Sequence, residues 1–188
     1  MLTERRNRSN TMEKLQVEFL LHLGFSKSLI AQLPLRGPSG IIGNSAVISC
    51  ADQIGIPLAY KKYSWPNRPA RVKPGQGVRS YNDLVEYSIL GSVFNYLYGD
   101  KVFEGISLPE VINAYNMYSN IRRSSTVGRQ ISPDTAFYIA RELYNHYASL
   151  PWCSNCDLVF YSSADQLIVN VCPFCKEKGV GDFTNIED

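Results

Sequence analysis

Four of the five cysteines fall near the C-terminus, as Cys153-Ser-Asn-Cys156 and, after fifteen intervening residues, Cys172-Pro-Phe-Cys175. Two residues between paired cysteines let a tight turn aim both sulfurs at one ion, and two such turns complete a tetrahedron. A closed four-thiolate tetrahedron leaves no open position for water or substrate, so the chemistry expected is structural. The spacing therefore predicts one Zn2+ per chain, held by Cys153, Cys156, Cys172 and Cys175. The alternatives are ordinary buried thiols in a small β unit, or one redox pair beside two unrelated thiols. Between the pairs, the β-prone runs Leu158 to Tyr161 and Leu167 to Val171 flank Ser162-Ser-Ala-Asp165. This predicts a short hairpin joining the two ligand pairs, a zinc ribbon. So small a hairpin is marginal in water, and the metal is expected to supply much of its folding free energy. Leu150 to Cys175 contains no Lys or Arg, so phosphate contact by the ribbon would fall to Lys176 and Lys178, and a scaffolding role is favoured.

The second chemical feature is a charge pattern. From Gln53 to Asn82 there is no Asp or Glu, while Lys61, Lys62, Arg68, Arg71, Lys73 and Arg79 lie in the same window. Tyr60, Tyr63, Trp65 and Tyr81 are interleaved with them, and Pro66, Pro69 and Pro74 favour an extended arm. An extended basic arm suits a nucleic-acid backbone, whose phosphates release counterions when neutralised but carry no sequence information. Arg122, Arg123 and Arg129, around Ser124-Ser-Thr-Val-Gly128, extend the candidate track. The competing reading is a solvated loop whose charges only keep the chain in solution.

Catalysis has little to work with. The two histidines, His22 and His146, lie in an apolar helical stretch and a tyrosine-rich run, where structural or surface roles are the ordinary ones. Gly75-Gln-Gly77 lacks the third glycine and the flanking strand of a dinucleotide site. No enzyme and no small-molecule substrate are expected.

The elements that must position these residues are mainly helical. Ser132-Pro133-Asp134 opens a helix whose apolar positions run Ala136, Phe137, Ala140, Leu143, Tyr144 and Tyr147. Ser107-Leu-Pro-Glu110 is a capping-box pattern opening a second, with Leu108, Val111, Ile112, Tyr115 and Tyr118 on its stripe. Asp83 to Tyr98 is a third, carrying Leu84, Tyr87, Leu90, Phe94 and Leu97 and ending at Gly99-Asp100. Upstream, Leu15 to Leu23 and Ser26 to Leu33 suggest two short helices broken at Gly24. Residues from Asn44 or Ser45 to Asp52, a turn over Gln53 to Ile56, and a helix from Pro57 to Tyr63 form a candidate helix-turn-helix. Two unrelated packing helices explain that pattern equally well. Cys50 sits on the first of them and is read as a small core residue.

The fold expected is thus a mainly α helical bundle with a candidate helix-turn-helix and a C-terminal four-cysteine zinc ribbon. Its expected parts are an N-terminal helical region over 1–100 with the basic arm at about 60–80, a helical core over 101–150, the ribbon over 151–178 and an acidic tail over 179–188. With 188 residues, 45% hydrophobic content and a net charge of only +2, bulk charge identifies no partner and its distribution must. No apolar run approaches the length that spans a bilayer, and Met1 to Asn10 has no apolar core of a secretion signal. A cytoplasmic, reducing location with no membrane contact follows as an expectation, and it argues against a disulfide framework, as does an odd cysteine count.

The order of these features resembles the FlhC family of flagellar master transcription activators, most closely from about Leu84 to Cys175. Val111-Ile-Asn-Ala-Tyr-Asn-Met-Tyr118 looks like the family's helix at that position, and Cys153, Cys156, Cys172 and Cys175 match its zinc ligands. Leu58-Ala-Tyr-Lys-Lys-Tyr63, followed by Pro66 to Pro74, is similar to the family's basic helix and proline-containing loop, and Leu20-Leu-His-Leu-Gly24 to its N-terminal turn. The rest of the first fifty residues departs from the flagellar proteins. The resemblance implies a subunit that pairs with a small helical FlhD-like partner in a hetero-oligomer, binds double-stranded promoter DNA and recruits RNA polymerase. Relatives on conjugative plasmids and integrative elements drive transfer genes instead, and the residues do not choose between the two regulons. A pure protein-interaction module, stapled by zinc and without DNA contact, is the reading from another class.

Overall fold

A computed structural model describes residues 14–33, 36–37, 40–41, 47, 49–50, 77–123, 130–164, 166–169 and 171–176. The chain divides into two compact units, Met1–Arg71 with Ser132–Asp134, and Val72–Ile131 with Thr135–Asp188.

In the first unit, helix α1 covers residues 14–22. Its end is a Schellman turn: Phe25 N–H donates to Leu20 O and Gly24 N–H to Leu21 O, both at 3.0 Å. Gly24 takes φ 90° there, a backbone region in which a Cβ is unfavourable, so glycine is the residue that lets the helix stop. Phe25 and Leu20, the pair such a turn brings together, are both buried. Ser26 then caps α2 (Lys27–Ile30) by accepting from Leu29 N–H. A two-residue hairpin follows, β1 (Arg36–Gly37) against β2 (Gly40–Ile41), with Arg36 opposite Ile41. Residues 47, 49 and 50 are helical, and Cys50 is 6% exposed with its thiol against Lys14 O and Glu18 Oε1. It is the small core residue the sequence suggests. The candidate helix-turn-helix otherwise lies outside the described residues.

The second unit is built on three helices: α3 (Tyr81–Tyr98), α5 (Leu108–Arg123) and α6 (Pro133–Tyr144, whose first two residues fall in the other unit), with the single turn α4 (Lys101–Glu104) between the first two. The first two of the three begin on a capping-box pattern. Ser80 and Asp83 form a reciprocal capping box at α3. At α5, Glu110 accepts from Ser107 N–H at 2.6 Å and from Ser107 Oγ at 2.7 Å. Gly99, at φ 51°, stops α3. The α6 stripe is shorter than the sequence suggests. His146 N–H donates to Leu143 O and Tyr147 N–H to Glu142 O in a second Schellman turn, with His146 at φ 56°. That turn throws Tyr147 off the helix, and it is 59% exposed.

The core between these helices contains Leu84, Leu90, Phe94, Val111, Ala114, Ile139 and Leu143. Burial of each large apolar side chain contributes about 1.5–3 kcal/mol. Helix α3, grouped by the sequence reading with the N-terminal region, packs on α5 within this unit and is buried nearly all round.

Glu110 also carries a pH-dependent contribution. Lys101, at 2.5 Å, and then Ser107 hold its carboxyl down to about 2, against an ordinary 4.5. Because the folded value is depressed, this contribution is complete above about pH 4.5 and is lost as pH falls toward 2. An NMR titration of the Glu110 carboxyl is expected to place its midpoint near the lower value, and Glu110→Gln should flatten the acid dependence of stability in that window.

Candidate metal centre

After α6 the chain makes four two-residue strands. β3 (Ala148–Ser149) pairs antiparallel with β6 (Ser162–Ser163), and β4 (Trp152–Cys153) with β5 (Leu158–Val159). The hairpin therefore closes over the first cysteine pair, not between the two pairs. The run Leu167 to Val171 is not a strand at its described residues, and Leu167 and Val169 are 69% and 72% exposed. Its expected partner is already engaged. β5 bonds back to β4, and β6 to β3, in two separate two-stranded ribbons, and Leu167 N–H donates to Val78 O instead.

The two knuckles are conformational copies. Asp157 N–H donates to Cys153 O at 2.9 Å and Lys176 N–H to Cys172 O at 2.8 Å. The residue after each second cysteine is left-handed, Asp157 at φ 56° and Lys176 at φ 63°. Each turn points its two sulfurs inward, and all four Sγ atoms lie within 4.8 Å of one another. Across the knuckles, the Cys153 sulfur lies 3.4 Å from that of Cys175 and the Cys156 sulfur 3.6 Å from that of Cys172. Both are far too long for a disulfide and near the edge of about 3.8 Å that thiolates at 2.3 Å from a tetrahedral ion would have. Cys153, Cys156, Cys172 and Cys175 are thus close enough to hold a metal ion. Phe160 and Phe174 pack around them.

The cluster's electrostatics also suit a cation. Desolvation, then the neighbouring Cys172 thiol, pushes Cys156 up to about 12, and desolvation pushes Cys172 up as well. Without positive charge the Cys156 and Cys172 sulfurs keep their protons. A bound dication replaces those protons and compensates the thiolates, so metal uptake releases protons and acid reverses it.

The module is seated on α3 by small side chains. Ser92 Oγ donates to Val159 O at 2.8 Å, and Ser88 Oγ accepts from Tyr161 N–H at 3.1 Å. Tyr161 is buried edge-on against Tyr87, with ring centroids 5.1 Å apart. Between the serines, a Cβ on Gly91 would lie 2.6 Å from Leu150 Cδ2, so glycine permits this approach. Ser88, Gly91 and Ser92 at helical spacing are the signal for this face, and an apolar-stripe reading passes over them.

The basic residues are distributed differently from the expectation. Lys61, Lys62, Arg68, Arg71, Lys73 and Arg129 lie outside the described residues. Arg79, just before α3, and Arg123, the last residue of α5, are exposed. Arg122 is a correction to the proposed phosphate track. It is 7% exposed, and its guanidinium bonds both oxygens of the buried Glu86, Nη2 to Oε1 at 2.5 Å and Nε to Oε2 at 3.0 Å. A guanidinium buried in a two-point pair with an internal carboxylate is not offered to a phosphate. His22 and His146 are exposed, and His146 stacks on Phe103.

No protein-family model matches the chain, and no curated protein matches it either. Among the described residues, no helix is long and apolar enough to cross a membrane.

Proposed function

We propose that this chain is the zinc-stapled, DNA-contacting subunit of a hetero-oligomeric transcription activator of the FlhC type. In this reading it binds double-stranded promoter DNA with a FlhD-like helical partner, recruits RNA polymerase, catalyses nothing, and switches on flagellar or conjugative-transfer genes. The observation that carries it is the four-sulfur cluster seated on a three-helix core. It falls on the residues that the resemblance assigns to the metal. Four thiolates favour Zn2+ among common ions, and its task is to fold the ribbon. Support for nucleic-acid contact comes from Gln53 to Asn82, where six cations meet no acidic residue. Lys61, Lys62, Arg68, Arg71, Lys73 and Arg79, with Arg123 and Arg129, are the contacts proposed; Arg122 is withdrawn from that set.

The test uses the chain co-expressed with its helical partner and a random-sequence duplex, because phosphate contacts need no particular promoter. Metal analysis should give about one zinc per chain. The six contacts from the basic segment alone should weaken binding on the order of a thousandfold between 50 and 200 mM salt. Charge reversal of Lys61, Lys62, Arg68 and Arg71 should lower the slope of log K against log salt by about three to four. Unaltered affinity in that variant would sink the arm assignment.

A second reading is favoured by one observation. Trp152, Leu158, Leu167 and Val169 are exposed around the metal module, at 54%, 43%, 69% and 72%, which suits a protein-interaction module without DNA contact. Zinc at full occupancy with no salt-sensitive binding, with or without the partner, would select it.

A further inference from the structure

The metal module touches the chain where the basic segment ends. Gly77 backs onto the Tyr87 hydroxyl with no room for a Cβ, which would fall 1.9 Å from that oxygen. Val78 is fully buried, and its carbonyl accepts from Leu167 N–H, between the two ligand pairs, at 3.3 Å. Tyr81, the first residue of α3, donates its hydroxyl to Pro173 O inside the second knuckle. The Lys176 ammonium lies 5.8 Å from the Tyr81 ring centroid, within cation–π range. The first of the Tyr81 partners sits between two ligands and the second directly after one. The position of Lys176 follows from its left-handed backbone and its bond to Cys172 O.

We propose that Tyr81 is a positioning residue that couples the second metal knuckle to the exit of the basic segment and so fixes where that segment enters the helical core. The inference deepens the DNA-binding reading and, for its consequence on affinity, rests on it. Both partners of Tyr81 depend on the knuckle keeping its turn, and the turn depends on the metal. Metal occupancy is thereby passed to Arg79 and the residues before it without any contact between metal and nucleic acid. A tethered arm makes the same phosphate contacts as a loose one but loses less freedom in making them.

Tyr81→Phe tests this in the full chain co-expressed with its partner, because it deletes the hydroxyl and leaves every charge and the Ser80–Asp83 capping box in place. Zinc content should stay at the wild-type value. Hydrogen exchange of the amides from Arg79 to Leu84, and of Leu167, should accelerate about two- to tenfold, the factor corresponding to one net hydrogen bond. Affinity for a random-sequence duplex should fall by a similar factor with the salt slope unchanged, since no cation has been removed. Wild-type exchange and wild-type affinity with zinc retained would overturn the coupling. Loss of zinc would overturn it too, by making Tyr81 part of the metal scaffold. If the wild-type complex does not bind duplex DNA, the functional reading fails, and the exchange rates alone decide whether the knuckle holds the segment.

Discussion

Replacement of Cys172 by serine is expected to abolish stoichiometric metal binding and unfold the segment from about Leu150 to Lys176 while most of the helical signal remains. Cys172 is fully buried and its sulfur is 3.6 Å from that of Cys156. A serine hydroxyl keeps its proton at neutral pH and is a poor ligand, so three thiolates are left to hold the ion. Structural zinc binding is worth about 10–16 kcal/mol in small zinc-folded peptides. That is as large as the entire stability of an ordinary domain, about 5–15 kcal/mol. The strands β3 to β6 have two residues each, and unsupported pairs this short do not persist in water. The helices have their own core, with Leu90, Phe94, Val111 and Leu143 at its centre. Elemental analysis should fall from about one zinc per chain to background, while far-UV circular dichroism changes little and the melting temperature drops. Cys50→Ser, outside the cluster, should keep its zinc. Full occupancy in the Cys172 variant, or a melting temperature indifferent to chelator, would show that the sulfurs do not hold the module together.

The four-cysteine cluster was legible because the signal is local: two residues inside each pair bring its sulfurs together whatever the rest of the chain does. Helix limits were legible where a single residue sets them, as at Gly24 and Gly99, both left-handed, and at Ser107 and Glu110. His146 takes the same left-handed role without being glycine, so the residues at the end of α6 carry no stop signal and the apolar stripe runs on to Tyr147, beyond the helix. Strand pairing was less legible for a different reason. Leu167 to Val171 has β-prone composition, but composition does not name a partner, and β5 is closed locally by β4 across the first knuckle. The face formed by Ser88, Gly91 and Ser92 was hidden because α3 buries small polar residues as well as apolar ones. It is the central helix, and an amphipathic stripe describes only one of its contacts.

Arg122 was the least legible residue, and a large loss of stability in the helical core is predicted at its partner. Arg122 and Arg123 are neighbours at the end of α5, yet one is buried and the other exposed. What separates them is Glu86, on the buried face of α3, thirty-six positions earlier. The Tyr118 hydroxyl completes the group by donating to Glu86 Oε2 at 2.5 Å and accepting from Ile131 N–H at 3.0 Å. Burial, then the hydrogen bond to Glu86, raises the Tyr118 hydroxyl well above its ordinary range, which keeps it a neutral donor. Glu86→Ala would strand a guanidinium that is 8% exposed. Loss of one partner from a buried ion pair costs about 3–5 kcal/mol, or a fall of roughly 6–20 °C in melting temperature for a domain of this size. The double variant Glu86→Leu/Arg122→Met should recover much of that loss, because the penalty comes from an unpaired charge and not from absence of the pair. Urea unfolding of Glu86→Leu, Arg122→Met and the double variant gives the coupling directly. The same variants also decide what Arg122 is for. If it is structural, Arg122→Met lowers stability and leaves the salt slope of DNA binding unchanged. A slope smaller by about one would return it to the phosphate contacts and contradict its burial against Glu86.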